Sequence, residues 1–213
     1  NANTYTINYN GNGATSGSTA SSTHTYDVAK NLTTNGFSKS GYTFLGWSTN
    51  ASATSATYTN SQSVKNLTET ANGSITLYAI WKDATAPTML TPTIIPTSWT
   101  NGNVTISSGA RDSGSLIRAY QWSTSPNITA TSSGWINLNT MSEAITQSYT
   151  AKENGTYYFY AKDGSGNVGV TSIKISTIDR TAPSANISLN STTATTDGSV
   201  IATVTHSDTG GSG

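Results

Sequence analysis

The sequence predicts a mainly β chain built from successive small modules, and three observations carry that prediction. First, a phrase recurs: Asp83-Ala84-Thr85-Ala86-Pro87-Thr88 returns as Asp179-Arg180-Thr181-Ala182-Pro183-Ser184. The same offset carries Gly102 onto Gly198, Val104 onto Val200, and Asp112-Ser113-Gly114 onto Asp208-Thr209-Gly210. A self-match at one fixed spacing marks a duplicated module, and a module of about 100 residues suits a small all-β domain. Second, short runs such as Tyr5-Thr6-Ile7-Asn8-Tyr9 alternate apolar and polar residues, the period of a strand with one buried face. Third, charged residues make up only 9% of the chain, so the polar surface must come from Ser, Thr, Asn and Gly. Thr suits strands, while Asn and Gly suit tight turns.

The same composition excludes several classes of function. Ten basic residues balance ten acidic ones and no Lys/Arg cluster stands out, so nucleic acid and anionic bilayers are not expected partners. No apolar run approaches the ~18 residues of a membrane-spanning helix. The 213 residues include no cysteine, which removes disulfides, thiolate nucleophiles and Cys-based zinc sites together. Signal peptide, sorting signal and anchor are not recognisable, and the chain stops within a repeat at Gly213; it reads as a segment of a longer protein.

The first module is expected over residues 1–82. Its opening strand, Tyr5 to Tyr9, runs into a turn at Asn10-Gly11-Asn12-Gly13, because Asn and Gly tolerate positive φ. A Ser/Thr-rich loop follows, and Tyr26 to Leu32 is the expected second strand or short irregular element. Gly41-Tyr42-Thr43-Phe44-Leu45-Gly46-Trp47 forms the centre, and Ile75 to Trp81 closes the unit with Leu77, Ala79 and Trp81 on one face. Three ordered landmarks, Tyr9-Asn10-Gly11, Gly41 to Trp47, and Leu77 to Trp81, resemble the Listeria–Bacteroides repeat, also known as the internalin B-repeat. The resemblance implies a compact β-grasp-like fold used in bacterial surface proteins as a spacer or adhesive unit. The stretch Ala14 to Thr23 is a departure from that pattern and reads as an inserted loop. Tyr42, Trp47 and Trp81 could stack on sugar rings, but a small domain needs its large side chains for its own core.

The second module, 83–179, yields a count of strands: Met89 to Ile95, Asn103 to Ser108, Leu116 to Ser123, Trp135 to Leu138, Ile145 to Thr150, Thr156 to Lys162, and Val168 to Ile178. About seven short strands with turn signals between them predict an immunoglobulin-like sandwich. Tyr120 and Trp122 lie where such sandwiches bury an aromatic, and Glu153 to Phe159 resembles a tyrosine corner. The phrases Thr85-Ala86-Pro87, Ser98 to Val104, Asp112 to Ser115 and Ala161 to Asn167 together resemble bacterial Ig-like repeats of Gram-positive surface proteins. That resemblance implies spacers and stalks. Residues 180–213 read as the truncated start of a second Ig-like unit, with strands at Ala185 to Leu189 and Ser199 to Thr205.

Catalytic machinery is not apparent. The two histidines, His24 and His206, fall in different modules, Glu69, Glu143 and Glu153 are scattered, and no HExxH, GxSxG or GxxxxGK[ST] occurs. No enzyme and no cofactor are expected. The best-placed metal ligands are Asp83, Asp112 and Asp163, because two loops of a sandwich and the incoming linker share one end; three hard oxygens there suit Ca²⁺. The alternative is that Asp112 and Asp163 cap turns through backbone N–H groups. A Lys–Asn isopeptide bond involving Lys152, Lys162 or Lys174 is a further alternative.

The expectation is therefore an extracellular stalk on a bacterial cell surface, monomeric, stacked against neighbouring repeats of its own chain. Short linkers with Pro87 and Pro183 would stiffen it into a rod. Two readings compete with it. One is an adhesin module that binds a host or cell-wall glycan or protein, for which surplus exposed Trp99 or Trp135 would speak. The other is the accessory region of a cell-surface hydrolase.

Overall fold

A computed structural model of the chain describes residues 3–190, 193, 196 and 200–208. Every regular element among them is a strand. The chain divides into two units, Asn1–Thr85 and Ala86–Gly213. The last strand of the first unit runs through Asp83, so the division falls a few residues beyond the boundary after Lys82 expected from sequence.

Alternation makes the first strand. In β1 (Thr4–Asn10) Tyr5 and Ile7 share one face and are buried. Four short strands follow: β2 (Ser16–Gly17), β3 (Ser22–Thr25), β4 (Lys30–Asn31) and β5 (Phe37–Ser38). The unit is completed by β6 (Tyr42–Ser48), β7 (Ser63–Val64) and β8 (Ser74–Asp83). The main sheet has the order β3-β1-β8-β6, with β1 parallel to β8 at its centre and both outer pairings antiparallel. Two small ladders, β2 with β5 and β4 with β7, organise the long connections.

Trp47 is the centre of the first core, fully buried among Tyr5, Ile7, Leu32, Val64, Leu77 and Ala79. The rings of Tyr9, Phe44 and Phe37 lie 4.8, 5.0 and 6.3 Å from it. Trp81 packs on Phe44 at 5.5 Å and donates its indole N–H to the Gly11 carbonyl at 2.9 Å, tying the end of the sheet to the Asn-Gly turn. Gly46 makes the arrangement possible. Its φ is +143° at a bulge in β6, and a Cβ there would come within 2.3 Å of the Tyr58 carbonyl oxygen. That close approach lets Trp47 exchange backbone hydrogen bonds with Thr57 and Tyr58 at 2.7 to 2.9 Å.

The second strand lies elsewhere than sequence suggests. β1 pairs with Ser22–Thr25, at the end of the Ser/Thr-rich stretch read as a loop, whereas Tyr26 to Leu32 contributes only the two-residue β4. The reason is that the inward residue of β3 is His24, buried against Tyr5 at 5.5 Å. A strand whose inner face is a histidine shows no apolar alternation.

The second unit contains β9 (Thr88–Met89), β10 (Thr93–Ile95), β11 (Val104–Arg111), β12 (Ile117–Ser123), β13 (Ile136–Ser142), β14 (Ala144–Ala151), β15 (Gly155–Asp163) and β16 (Val168–Ile175). The first of the seven expected strands is thus split, β9 and β10 flanking Pro92, which cannot donate to a ladder. One sheet has the order β10-β11-β14 with β9 also on β11; the other is β13-β12-β15-β16. Their inner faces enclose two adjoining apolar clusters. Val104, Ile106, Ala151, Tyr157 and Ile175 form one, and Ala110, Ile117, Ile145, Phe159 and Ala161 form the other. The two sheets make a sandwich, as alternation along β11 and β15 requires.

A bulge at Arg118–Ala119 shifts the phase of β12, so that Ile117, Tyr120 and Trp122 all reach the core. Trp122 then packs on Phe159 at 4.8 Å. The Tyr157 hydroxyl donates to the Glu153 carbonyl at 2.8 Å, four residues upstream, and fixes the turn into β15. Finally, β17 (Ser184–Leu189) and β18 (Ala202–Ser207) form a two-stranded hairpin whose Ile187, Leu189 and Val204 are exposed. Its Ala185↔His206 and Ser184↔Ser207 pairs repeat, at the offset of the internal repeat, the Met89↔Ala110 and Thr88↔Arg111 pairs of β9 and β11.

Two substitutions test these assignments. Gly46→Ala should destabilise the first unit by more than about 2 kcal/mol, through strain at positive φ and the clash with Tyr58. Urea unfolding followed by NMR should show the first unit melting early while resonances of the second hold. Tyr157→Phe removes one buried-side hydrogen bond and should cost the second unit about 1 kcal/mol, read from its urea midpoint.

Candidate functional site

Asp112 and Asp163 lie together at one end of the second unit, as the loop geometry of a sandwich suggests. A carboxylate oxygen of one lies within 4.8 Å of one of the other, and both side chains are buried. The loops that carry them are bonded directly: the Gly164 N–H donates to the Leu116 carbonyl at 2.9 Å and the Ser165 N–H to the Ser115 hydroxyl at 3.3 Å.

Each carboxylate holds its own turn. Oδ1 of Asp112 accepts the N–H groups of Gly114, Ser115 and Leu116 at 2.8, 2.9 and 3.1 Å. This wraps the loop so tightly that Leu116 takes a φ of +62°. Asp163 accepts the Asn167 N–H on Oδ1 at 2.8 Å and its side-chain amide on Oδ2 at 2.7 Å. Backbone N–H groups turned toward a carboxylate stabilise its negative charge where water is excluded. Asp83 belongs to the first unit, at the end of β8, where its Oδ1 accepts the Thr85 N–H at 3.0 Å. Asp179, its counterpart in the internal repeat, does the same for Thr181 at 2.9 Å. The repeated Asp-x-Thr-Ala-Pro phrase is therefore a repeated Asx turn. Oδ1 of Asp112 and both oxygens of Asp163 thus accept hydrogens from their own loops, whereas Ca²⁺ would take six to eight oxygens in all.

The other singled-out residues have defined places. His24 shares a hydrogen bond of 3.0 Å between Nε2 and the Ser22 hydroxyl, while its Nδ1 is buried without a partner. Burial, and secondarily the charge of nearby Lys30, lower its pKa below the ordinary 6.5. Sequence gave no signal for this residue beyond its type. His206 lies exposed on β18. Glu69, Glu143 and Glu153 are exposed. Lys152 and Lys174 are exposed, and Lys162 donates to the Ala130 carbonyl at 3.0 Å with its ammonium 4.5 Å above the Trp135 ring.

The aromatics sort by burial. Trp47 and Phe159 are fully enclosed, and Trp122 and Trp81 are packed against the cores. Tyr42 lies under the Lys39 ammonium at 4.2 Å. Trp135 donates its indole N–H to the Thr129 carbonyl at 3.1 Å and so fastens its own loop. Trp99, in contrast, is 46% exposed and lines an open groove with Thr100, Asn101 and residues 179–183.

Compared with known families, residues 5–80 match the model of the Listeria-Bacteroides repeat domain. No curated protein matches the chain.

Three outcomes are expected. Asp112→Ala leaves three N–H groups without their acceptor and should destabilise the second unit by about 1–3 kcal/mol in urea. The melting temperature of the second unit should be the same in millimolar Ca²⁺ and in EDTA; a clear rise with Ca²⁺ would assign a cation to the aspartates. For His24, the unfolded chain binds a proton near 6.5 while the native ring resists it. The first unit should therefore lose stability as pH falls below that value, and His24→Gln should flatten the acid-side slope of its melting temperature.

Proposed function

We propose that this segment is a structural spacer of a secreted bacterial cell-surface repeat protein, holding other domains of that protein in position, with no catalytic role of its own. The observation that carries the reading is that each unit uses its large aromatic side chains to close its own core, around Trp47 in one and Phe159 in the other. The match of residues 5–80 to a repeat domain of surface proteins agrees with it.

We read the first unit as β-grasp-like. The order β3-β1-β8-β6, with first and last long strands parallel at the centre, is the strand order of that fold, with short ladders where the helix would lie. The second unit we read as immunoglobulin-like. Strands β9/β10, β11 and β14 correspond to A, B and E, and β13, β12, β15 and β16 to C′, C, F and G. The Tyr157–Glu153 bond and the Trp122–Phe159 pair occupy the places of a tyrosine corner and of the core Trp beside strand F. The hairpin β17–β18 opens a further copy of the same unit, given its matching register.

Such a segment works by physical means. Its neighbours are repeats of its own chain, its place is extracellular, and its polar surface is made by Ser, Thr and Asn with little charge. Replacing the segment in its parent by an unrelated pair of β modules of equal contour length should leave the presented domain active at the cell surface. Loss of activity on that exchange, with display level unchanged, would sink the spacer reading.

A further inference from the structure

Trp99 is the one exposed tryptophan of the five. Among the described residues, Trp47, Trp81 and Trp122 pack against other rings and Trp135 has both a hydrogen bond and a lysine over its face. Trp99 lies in the connection between β10 and β11, nearly half exposed, with no ring contact and no hydrogen bond. Large indole surface left in water is unfavourable, and indoles kept in that state are enriched where a partner covers them.

The groove beside it is held firmly. The Thr100 N–H donates to the Thr177 carbonyl and the Asp179 N–H to the Thr100 carbonyl, both at 2.9 Å, so the two lining segments are bonded to each other. Asn154 clasps Ile178 through both its N–H and its carbonyl, at 3.0 and 2.8 Å. The Arg180 guanidinium donates to the carbonyls of Asn101, Gly102 and Lys152 and to the Asn103 side chain. With Arg180 turned onto these acceptors and Asp179 accepting the Thr181 N–H, the charged residues of the groove are engaged within the protein. The groups left at the rim are an indole face, the exposed Asn101 amide and the exposed Thr181 hydroxyl.

We propose that this groove binds a pyranose oligosaccharide, one sugar ring laying its C–H face on the Trp99 indole and directing its hydroxyls to Asn101 and Thr181. A sugar is apolar on one face and ringed by neutral donors and acceptors, which matches one aromatic face flanked by an amide and a hydroxyl. A lipid or an apolar peptide would want more apolar lining than one indole and the small Ala182 and Pro183. A nucleic acid would want a basic field, which a chain of zero net charge does not supply. Because the lining segments are already fixed, little ordering opposes binding.

The test is a titration of the ¹⁵N-labelled full chain with soluble tetrasaccharides of β-1,4-linked N-acetylglucosamine, β-1,4-linked glucose and α-linked mannose. At least one should shift the Trp99 indole and Asn101 amide signals saturably. Trp99→Ala should weaken that binding at least about tenfold, Trp99→Phe less, and Trp135→Ala not at all. The exposed position of Trp99 keeps the variant folded, which its unchanged amide spectrum would verify. No shift with any of the three sugars, a shift that survives Trp99→Ala, or a shift seen only with a tryptic peptide mixture would each overturn the proposal. Failure here leaves the spacer reading intact, since that reading depends on the cores and the domain-exchange experiment.

Discussion

Burial of Trp47 and of Phe159, each with no exposed surface, is the contact on which the two units depend. The chain has no disulfides, and the ion pair between Lys65 and Asp27, at 3.7 Å with both side chains exposed, contributes little. Apolar area removed from water must therefore offset most of the conformational entropy of folding. Units of this size bury a smaller share of their surface than large domains, so each large side chain counts. In the first unit Tyr9, Phe37 and Phe44 converge on one indole, and in the second Tyr120 and Trp122 converge on one phenyl ring. Aromatics used in this way are not available to a ligand.

Charge is replaced by hydrogen bonds from polar side chains to backbone. Asn10 accepts the Asn12 N–H, Asp83 that of Thr85, Asp112 three successive N–H groups, Asp163 that of Asn167, and Asp179 that of Thr181. Each such bond satisfies a donor at a loop or strand end that the sheets cannot reach. Short side chains bonded to their own loop lose little rotamer freedom, and their hold does not weaken with salt as surface ion pairs do. A chain made this way keeps its turns fixed with a charged fraction of 9%.

How much of this was legible in the sequence differs between the units for a physical reason. The second unit was read nearly strand for strand, because Val104 and Ile106, or Tyr157, Phe159 and Ala161, alternate in the open and Gly or Asp marks the turns between. The meeting of the Asp112 and Asp163 loops followed from that strand order. The bulge at Arg118 was not legible, since an inserted residue in β12 changes phase without changing composition. In the first unit β3 escaped because its inner residue is His24, and its hydrogen bond to Ser22 and stacking on Tyr5 are properties of the folded site. The Asx turns hide in plain view. Asp83 and Asp179 repeat in sequence, yet whether a repeated aspartate holds a cation or its own backbone depends on where its oxygens point.

The five tryptophans show the same limit from the other side. By residue type Trp99 and Trp122 are identical, and both belong to the second unit. Trp122 lies on β12 two residues from Tyr120, after the bulge that turns both toward Phe159, and so enters the core. Trp99 lies in a connection where Thr100 and Asp179 are bonded backbone to backbone, and its side chain is 46% exposed. Trp135 also lies outside, but Lys162 and the Thr129 carbonyl engage it and convert it into a fastening for its loop. Spacer and binder are therefore not decided by how many aromatics a chain carries. What matters is how much of each indole the fold covers, and Trp99, at 46% exposed, is the one left most open.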